Sequence, residues 1–536
     1  MRYPRKGALL ALPMVAALVL AGCGGGGAGS GDDSVSFYNT EPENPLLPGD
    51  TNENGGSNVV DLMWTGLYSY NPDTGKPVPQ MADSVQKTSP TTYDIKIKKG
   101  WKFHDGTEVK AKNFVDSWNY TAYAPNAMVD ANYLHAIKGY EDVHPEDEKA
   151  KPKTDKMSGL QVKGDYEFAV TLSAPFSTFD KQLGYEAFFP MPDQFFKAPD
   201  KEKWADHPIG NGPMKFVERR PNTYIKMTRN DGYQGSNKVK FKNVESRIYS
   251  TAEAGYQDLV SGNLDFDDTL PPLALADGKY KQDLKDHNAQ KNSMTFGYLG
   301  LPQYVPQYRD PNLRKALSLA IDREQIAKQI FHGTRSPADG WVPPVMDGAQ
   351  PGACGDMCKY DPAKAKEFLA KSGYKGEISI SSNSDGGNKE WIEAACGSIT
   401  KTLGLKCRLD MQTSFGQFNQ VVRAKKNPGA FRGTWVADYP TVENFLTQLY
   451  GTGGSANKFE YSNPAFDKKL AEAAAAPDSD SGNKLYSDAE KMLKNDMPVI
   501  PLFFYNVPYG WSDKLSKGSF SLFNKPYVPG FEPAKH

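Results

Sequence analysis

Between Glu377 and Val436 the chain alternates two hydrophobic rhythms, and this alternation limits the folds open to it. A short apolar strand over 378–381 leads into a helix ending at Leu403. A strand over 406–411, a helix over 415–425 and a strand over 430–436 follow. A βαβαβ series predicts a parallel or mixed sheet flanked by helices. Asp310-Pro311 and Asp361-Pro362 each put a capping side chain before a proline at a helix start. They predict helices running to Ala320 and to a stop at Gly373. Earlier, Tyr93, Ile95 and Ile97 alternate with polar residues as in a half-buried strand, and Lys99-Gly100 turns the chain into 101–103. Helices are expected over 58–67, over 111–122, and from the cap Thr251 to Gly262. Strands are expected over 34–39, 224–229 and 244–249, with a hairpin of 160–163 and 168–172 about Gly164-Asp165. Helices over 463–475 and 481–496 and an apolar strand over 499–505 end the series. There is no repeat or heptad array.

The N-terminus sets the compartment. Arg2, Arg5 and Lys6 precede an apolar stretch from Ala8 to Leu20, and then comes Leu20-Ala21-Gly22-Cys23. A charged start, a short apolar run and small residues before a cut predict a secretory signal over 1–22. The run is shorter than the about 20 apolar residues of a membrane span. Its end resembles the bacterial lipobox, whose cysteine receives a diacylglycerol; the alternative is an ordinary cysteine in a plain signal peptide. At ~0.8 kcal/mol per buried CH₂, acyl chains on Cys23 would hold a soluble domain on the extracellular face of the bacterial membrane. Residues 23–33, mostly Gly, Ser and Asp after the cysteine, read as anchor and tether.

Charge excludes one class of partner. The chain has 63 Lys+Arg and 64 Asp+Glu, and losing the three positive charges of 1–22 takes the net charge from −1 to −4. That leaves no basic excess for nucleic acid. With Cys23 assigned to lipid, Cys354, Cys358, Cys396 and Cys407 remain, and four cysteines allow three pairings. Cys354 and Cys358 flank a Gly-Asp-Met loop, while Cys396 falls on a helix and Cys407 on the next strand. The local pairings 354–358 and 396–407 are expected. A structural zinc site is the rival, disfavoured by the wide second spacing and the lack of a nearby histidine; disulfides suit an exported chain.

Five runs then carry a family resemblance. They are Gly66-Leu67-Tyr68-Ser69-Tyr70 ahead of Pro79-Gln80-Met81-Ala82; the stretch from Thr92 through Trp101-Lys102-Phe103-His104-Asp105-Gly106-Thr107; Gly210-Asn211-Gly212-Pro213; Asp310 through Asp322; and Trp435-Val436-Ala437-Asp438-Tyr439-Pro440 before Asn444-Phe445-Leu446. In this order, over nearly all of the chain after the signal, they resemble the family 5 extracellular solute-binding proteins of ABC importers, the dipeptide and oligopeptide binders. The resemblance implies an α/β, bilobal periplasmic-binding-protein-like fold of the type II, three-domain (cluster C) kind, with mixed sheets flanked by helices and ligand in the interlobe cleft. Domain I would take 34–66, 205–295 and 499–536, domain II 67–204 and domain III 296–498. It further implies a monomeric carrier with no cofactor, serving an ABC permease.

The resemblance also points to ligand contacts. In peptide-binding relatives the carboxylate of the Trp-x-Ala-Asp-Tyr run pairs with the peptide's α-ammonium, which maps onto Asp438; the alternative is an aspartate that caps the next helix. Main chain of Thr434, Trp435, Val436 and Ala437, and of the loop 51–55 with Asn52, Glu53 and Gly55, would align the peptide as an added strand. Trp435 itself is read as packing. Arg432 and Arg423 match positions that can meet the peptide carboxylate; otherwise they are surface arginines. Pro440-Thr441-Val442-Glu443 departs from the pattern of relatives that carry an acidic residue and then proline after the motif, which puts the pocket's shape in doubt. Some relatives bind oligosaccharides or chelated nickel, and clustered aromatics in the cleft would favour sugar. A sensor of peptide signals needs the same cleft. For catalysis there is no Gly-x-Ser-x-Gly or His-Glu-x-x-His, and the seven histidines show no metal spacing. His104-Asp105 reads as a structural turn, and His332 as a surface or packing residue.

Overall fold

The computed structural model of the chain describes residues 33–147, 149–384 and 386–535. The signal segment, Cys23 and nearly all of the tether lie outside the described residues.

Strands far apart in sequence assemble one large mixed sheet. Its order is Cys407–Gln412, Ile378–Asn383, Ala430–Val436, Asn288–Gly300, Val499–Trp511, Phe266–Asp267, Ser34–Asn39, Asn243–Ile248, Tyr224–Arg229 and Met214–Arg220, with Arg335–Pro337 added along Val499–Trp511. The first two strands run parallel, as do Ser34–Asn39 and Asn243–Ile248. The alternating segment from Glu377 thus forms one end of the sheet, and the N-terminal strand lies in the other half.

Two long strands stand at the middle of this order. Asn288–Gly300 and Val499–Trp511, 13 residues each, pair antiparallel along their length, but the register breaks between Asn292 and Phe296. Inside the break, the Met294 N–H donates to Leu522 and its carbonyl accepts from Ala437. The expected strand over 499–505 is therefore the first half of a longer one. Asn288–Gly300 went unread, because its first residues, Asn288 to Asn292, show no apolar alternation.

Residues 67–204 contain a separate four-stranded antiparallel sheet, ordered Ala82–Ser89, Thr92–Ile97, Glu167–Thr171 and Leu160–Gly164. Helix Ala111–Ala122 covers it, and Phe114, Trp118, Phe168 and Phe188 pack edge to face or stacked beneath the helix. Each such aromatic contact contributes about 0.5–1.5 kcal/mol beyond burial. The 101–103 segment forms only an isolated bridge, Lys102 with Glu108.

The punctuated helices start where their caps put them. Asp310 accepts from the Asn312 N–H at 2.8 Å and Asp361 from the Lys364 N–H at 3.0 Å, and Gly373 ends its helix at φ +64°. One helix moves. It spans Asn54–Met63 rather than 58–67, because the Glu53 carboxylate caps the Gly56 N–H at 2.7 Å and draws Gly55-Gly56 into the first turn. Disulfides join Cys354 to Cys358 and Cys396 to Cys407, at sequence separations of 4 and 11. Chain entropy assigns these loops about 2 and about 3 kcal/mol. Replacing Cys396 and Cys407 by serine should therefore lower the urea midpoint more than replacing Cys354 and Cys358; the reverse order would contradict the loop-length argument.

Candidate ligand-binding cleft

The Ala430–Val436 strand is buried where it enters the sheet, at Ala430 and Phe431, and half-buried from Arg432 onward. Its one edge pairs with Asn288–Gly300, from Phe431 opposite Gly300 to Val436 opposite Thr295. On its other edge only Ala430 and Phe431 are paired, with Ile380 and Ser381. Among the described residues no strand pairs with that edge from Gly433 to Val436, and these four residues line a cavity of about 1240 Å³. Gly433 brings this backbone close to the neighbouring strand: a Cβ there would lie 2.2 Å from the Tyr298 ring.

Beyond the strand the chain turns at Asp438 and enters helix Val442–Tyr450, which Thr441 caps by accepting from the Asn444 N–H. Asp438 is therefore not the cap. Asn444, fully buried, fixes it instead: its Oδ1 accepts from the Asp438 N–H and from the Trp435 indole, both at 3.1 Å, and its Nδ2 donates to Asp438 Oδ2 at 2.8 Å. Tyr133, from the 67–204 segment, donates to the same Oδ2 at 2.6 Å. Both side-chain hydrogen bonds fall on Oδ2, and the residue lines the cavity. Burial pushes the Asp438 carboxyl up to about 6, against the two hydrogen bonds, which pull it down. Trp435 is held by Asn444 while still lining the cleft.

A second charged group lies nearby. Lys525 bonds Asp61 at 2.8 Å and Glu186 at 2.9 Å, and Ser57 donates to Glu186 at 2.7 Å. Both carboxylates hold the lysine's pKa well above its ordinary range, against burial.

Thr434, Val436, Ala437, Arg432, Arg423, Asn52 and Glu53 also line the cavity; Gly55 does not. The expected loop 51–55 is only partly a loop. Thr51 is buried and donates to the Leu47 carbonyl, while Asn54 and Gly55 already belong to the helix. The Gly55 carbonyl accepts from Asn39 at 2.9 Å, and a Cβ there would meet the Thr40 carbonyl at 2.8 Å. Its carbonyl is therefore taken. The Arg432 guanidinium lies over Phe415 and Phe418 and donates twice to Asn383, at 2.7 and 3.0 Å. Arg423 reaches Glu43 at 3.9 Å. Tyr133, Asp61, Glu186, Lys525 and Lys458 are not expected from the sequence; they come from other segments and carry no local motif, and the fold brings them to the cleft. Asn444 stands in the Asn444-Phe445-Leu446 run six residues after Asp438, but the run alone gives it no role.

His104 lies outside the cleft lining, its ring nitrogens engaged with the Gly212 carbonyl and the Gly210 N–H, and burial lowers it to about 4. Among the described residues no three His, Cys, Asp or Glu side chains are grouped to hold a metal ion, and no helix is long and apolar enough to cross a membrane.

Residues 76–457 match the family described as bacterial extracellular solute-binding proteins, family 5. The chain is 26% identical to the oligopeptide-binding protein OppA of Bacillus subtilis over 534 residues, 94% of each chain. It is 27% identical to the periplasmic oligopeptide-binding protein OppA of Escherichia coli over 463 residues, 84% of this chain and 83% of the relative. Among solved structures, the murein tripeptide binding protein MppA of Escherichia coli superposes with a TM-score of 0.83 at 23% identity, covering 94% of this chain and 99% of that one. The fold is the bilobal periplasmic-binding-protein-like one, and the chain belongs to the family 5 extracellular solute-binding proteins of ABC importers.

Proposed function

We propose that this chain captures short peptides in the cleft and delivers them to the permease of an ABC importer, held at the outer face of the membrane through lipid on Cys23. The observation that carries the reading is the Asp438 carboxylate at the end of an open strand edge. Its Oδ2 is fixed by Tyr133 and Asn444, and the residue lines the cavity. Every unblocked peptide brings an ammonium to such a group and an extended backbone to such an edge. The names of the relatives, oligopeptide and murein tripeptide binders, support the same class. The lobes are read as 34–66, 205–295 and 499–536 against 296–498, with 67–204 inserted, closing about the two long strands.

Calorimetric titration tests this, using protein refolded to strip carried ligand and tri- to pentapeptides as free amines and as N-acetyl derivatives. Binding of the free amines and its loss on acetylation are expected. Equal heats from both forms would remove the ammonium from the account. The cleft's aromatic lining, including Tyr38, Tyr70, Tyr298, Trp435 and Tyr505, favours one second reading, an oligosaccharide. Heat from an oligosaccharide and none from any peptide would establish it instead.

A further inference from the structure

Cations gather where the first strand begins, at the end of the large sheet away from the cleft. Strand Ser34–Asn39 starts there and leads to Thr40, Glu41 and Glu43, which line the cavity. At ~3.3 Å per residue, its six residues hold that end ~20 Å from the cleft. Ser34 pairs with Asn243, Asn243 with Thr228 and Thr228 with Lys215, so Lys215 stands in the terminal row of the sheet. Lys242 precedes Asn243, and its carbonyl accepts from the Arg229 N–H. Lys514 donates to Ser34 Oγ at 3.3 Å, and its carbonyl accepts from the Ala534 N–H, which brings Lys535 alongside. Lys240 pairs with Glu532, which stands opposite Lys517 in the strand register.

Among the described residues, seven cations thus gather with four carboxylates, Asp231, Asp265, Asp513 and Glu532, while Asp33 precedes Ser34 in the chain. Asp265 is set back in the fold, 7% exposed. Lys240, Lys242, Lys517 and Lys535 are exposed. This is a basic face on a chain whose residues 23–536 carry −4. Its position relative to Cys23 is what gives it a partner. Ten residues, 24–33, link that cysteine to Ser34, and at about 3.5 Å each they reach no further than about 35 Å. So short a link imposes a high effective concentration, at which a contact too weak to hold a free protein can orient a tethered one.

We infer that this lysine-rich face rests on the anionic headgroups of the membrane's outer leaflet and turns the cleft outward. The inference rests on the Cys23 anchor proposed above. Lysines close to an anionic lipid surface are drawn to it, and the attraction fades within a Debye length, about 8 Å at physiological salt. The contact is therefore reversible, and it leaves the cleft open to arriving solute.

The experiment supplies an anchor that does not depend on Cys23. A hexahistidine segment takes the place of Cys23 at the start of the mature chain and binds nickel-chelating lipid in phosphatidylcholine vesicles made with or without phosphatidylglycerol. Lysine acetylation, read by mass spectrometry, reports which side chains the lipid covers. With phosphatidylglycerol, Lys242, Lys517 and Lys535 should label several-fold more slowly and regain their rates in high salt, while exposed Lys87 and Lys401 stay unchanged. Changing Lys242, Lys517 and Lys535 together to glutamate should abolish the slowing at Lys240; unchanged rates at Lys87 and Lys401 show that this variant is folded. Equal labelling on both vesicles overturns the inference, as does slowing that survives high salt or the glutamate variant. Slowing at Lys87 or Lys401 in place of the basic face overturns it too, because another surface then meets the lipid. Acylation of Cys23 is read separately, from the mass of the natural protein recovered from membranes, so failure of the anchor and failure of the face are distinct results.

Discussion

Asp438→Ala is expected to weaken binding of a free-amine peptide by ~30- to ~5000-fold, the about 2–5 kcal/mol lost when one member of a desolvated charge pair is removed. The carboxylate is aligned before any ligand arrives, since Tyr133 and Asn444 both hold Oδ2. Little reorganisation is then required on binding, which places the loss in the pair itself. N-acetyl peptides, which the wild type should not bind, should gain nothing and lose nothing in the variant. The pH dependence gives a second readout. With the carboxyl at about 6 in the unliganded protein, affinity should fall below pH 6, approaching tenfold per pH unit, and Asp438→Ala should flatten that slope. Stability of the empty protein moves the other way. A carboxyl raised from 3.8 to about 6 stabilises the fold below pH 4, and that contribution is lost as pH climbs through 6. A wild-type affinity that stays level from pH 7 to pH 4.5 would remove Asp438 from the binding step.

Lys525→Met is expected to cost about 3–5 kcal/mol of stability, because it leaves Glu186, 2% exposed, without its cation. Asp61 is more open, 40% exposed, and adds less. The pH profile identifies the cause. Burial and Glu186 raise Asp61 to about 7 even while Lys525 pulls it down, and without the lysine it rises further. Protonation relieves such a carboxylate, so the variant's deficit should be smallest near pH 4 and grow as pH rises through 7. Adding Glu186→Gln should recover much of the loss. A deficit independent of pH, read from urea unfolding at several pH values, would mean that the lysine's alkyl packing matters more than its charge.

The parts of the fold legible in sequence were those whose signals are local. Asp310-Pro311, Asp361-Pro362 and Gly373 state their helix ends in adjacent residues. Asn54–Met63 was displaced because Gly55-Gly56 looks like loop until the Glu53 cap is seen. Asn288–Asn292 forms strand through its pairing with residues 506–510, a tertiary cause that no window of sequence contains. The cleft divides in the same way. Asp438 stands in a motif, whereas Tyr133 reaches it across 305 residues and Lys525 meets Glu186 across 339. Buried polar partners of this kind are chosen by geometry, and their spacing carries no period to detect.

The break in the two long strands has a mechanical consequence. A sheet many strands wide resists bending, whereas a ribbon of two is a leaf spring, compliant in twist and stiff along its length. The spring is thinnest where pairing lapses between Asn292 and Phe296, and there the Met294 carbonyl holds the N–H of Ala437, the residue before Asp438. A pull on Asp438 is thus applied one residue from the flexure. Such a short lever arm would turn a displacement of an ångström at the ligand's ammonium into a much wider sweep at the far rim of the cleft.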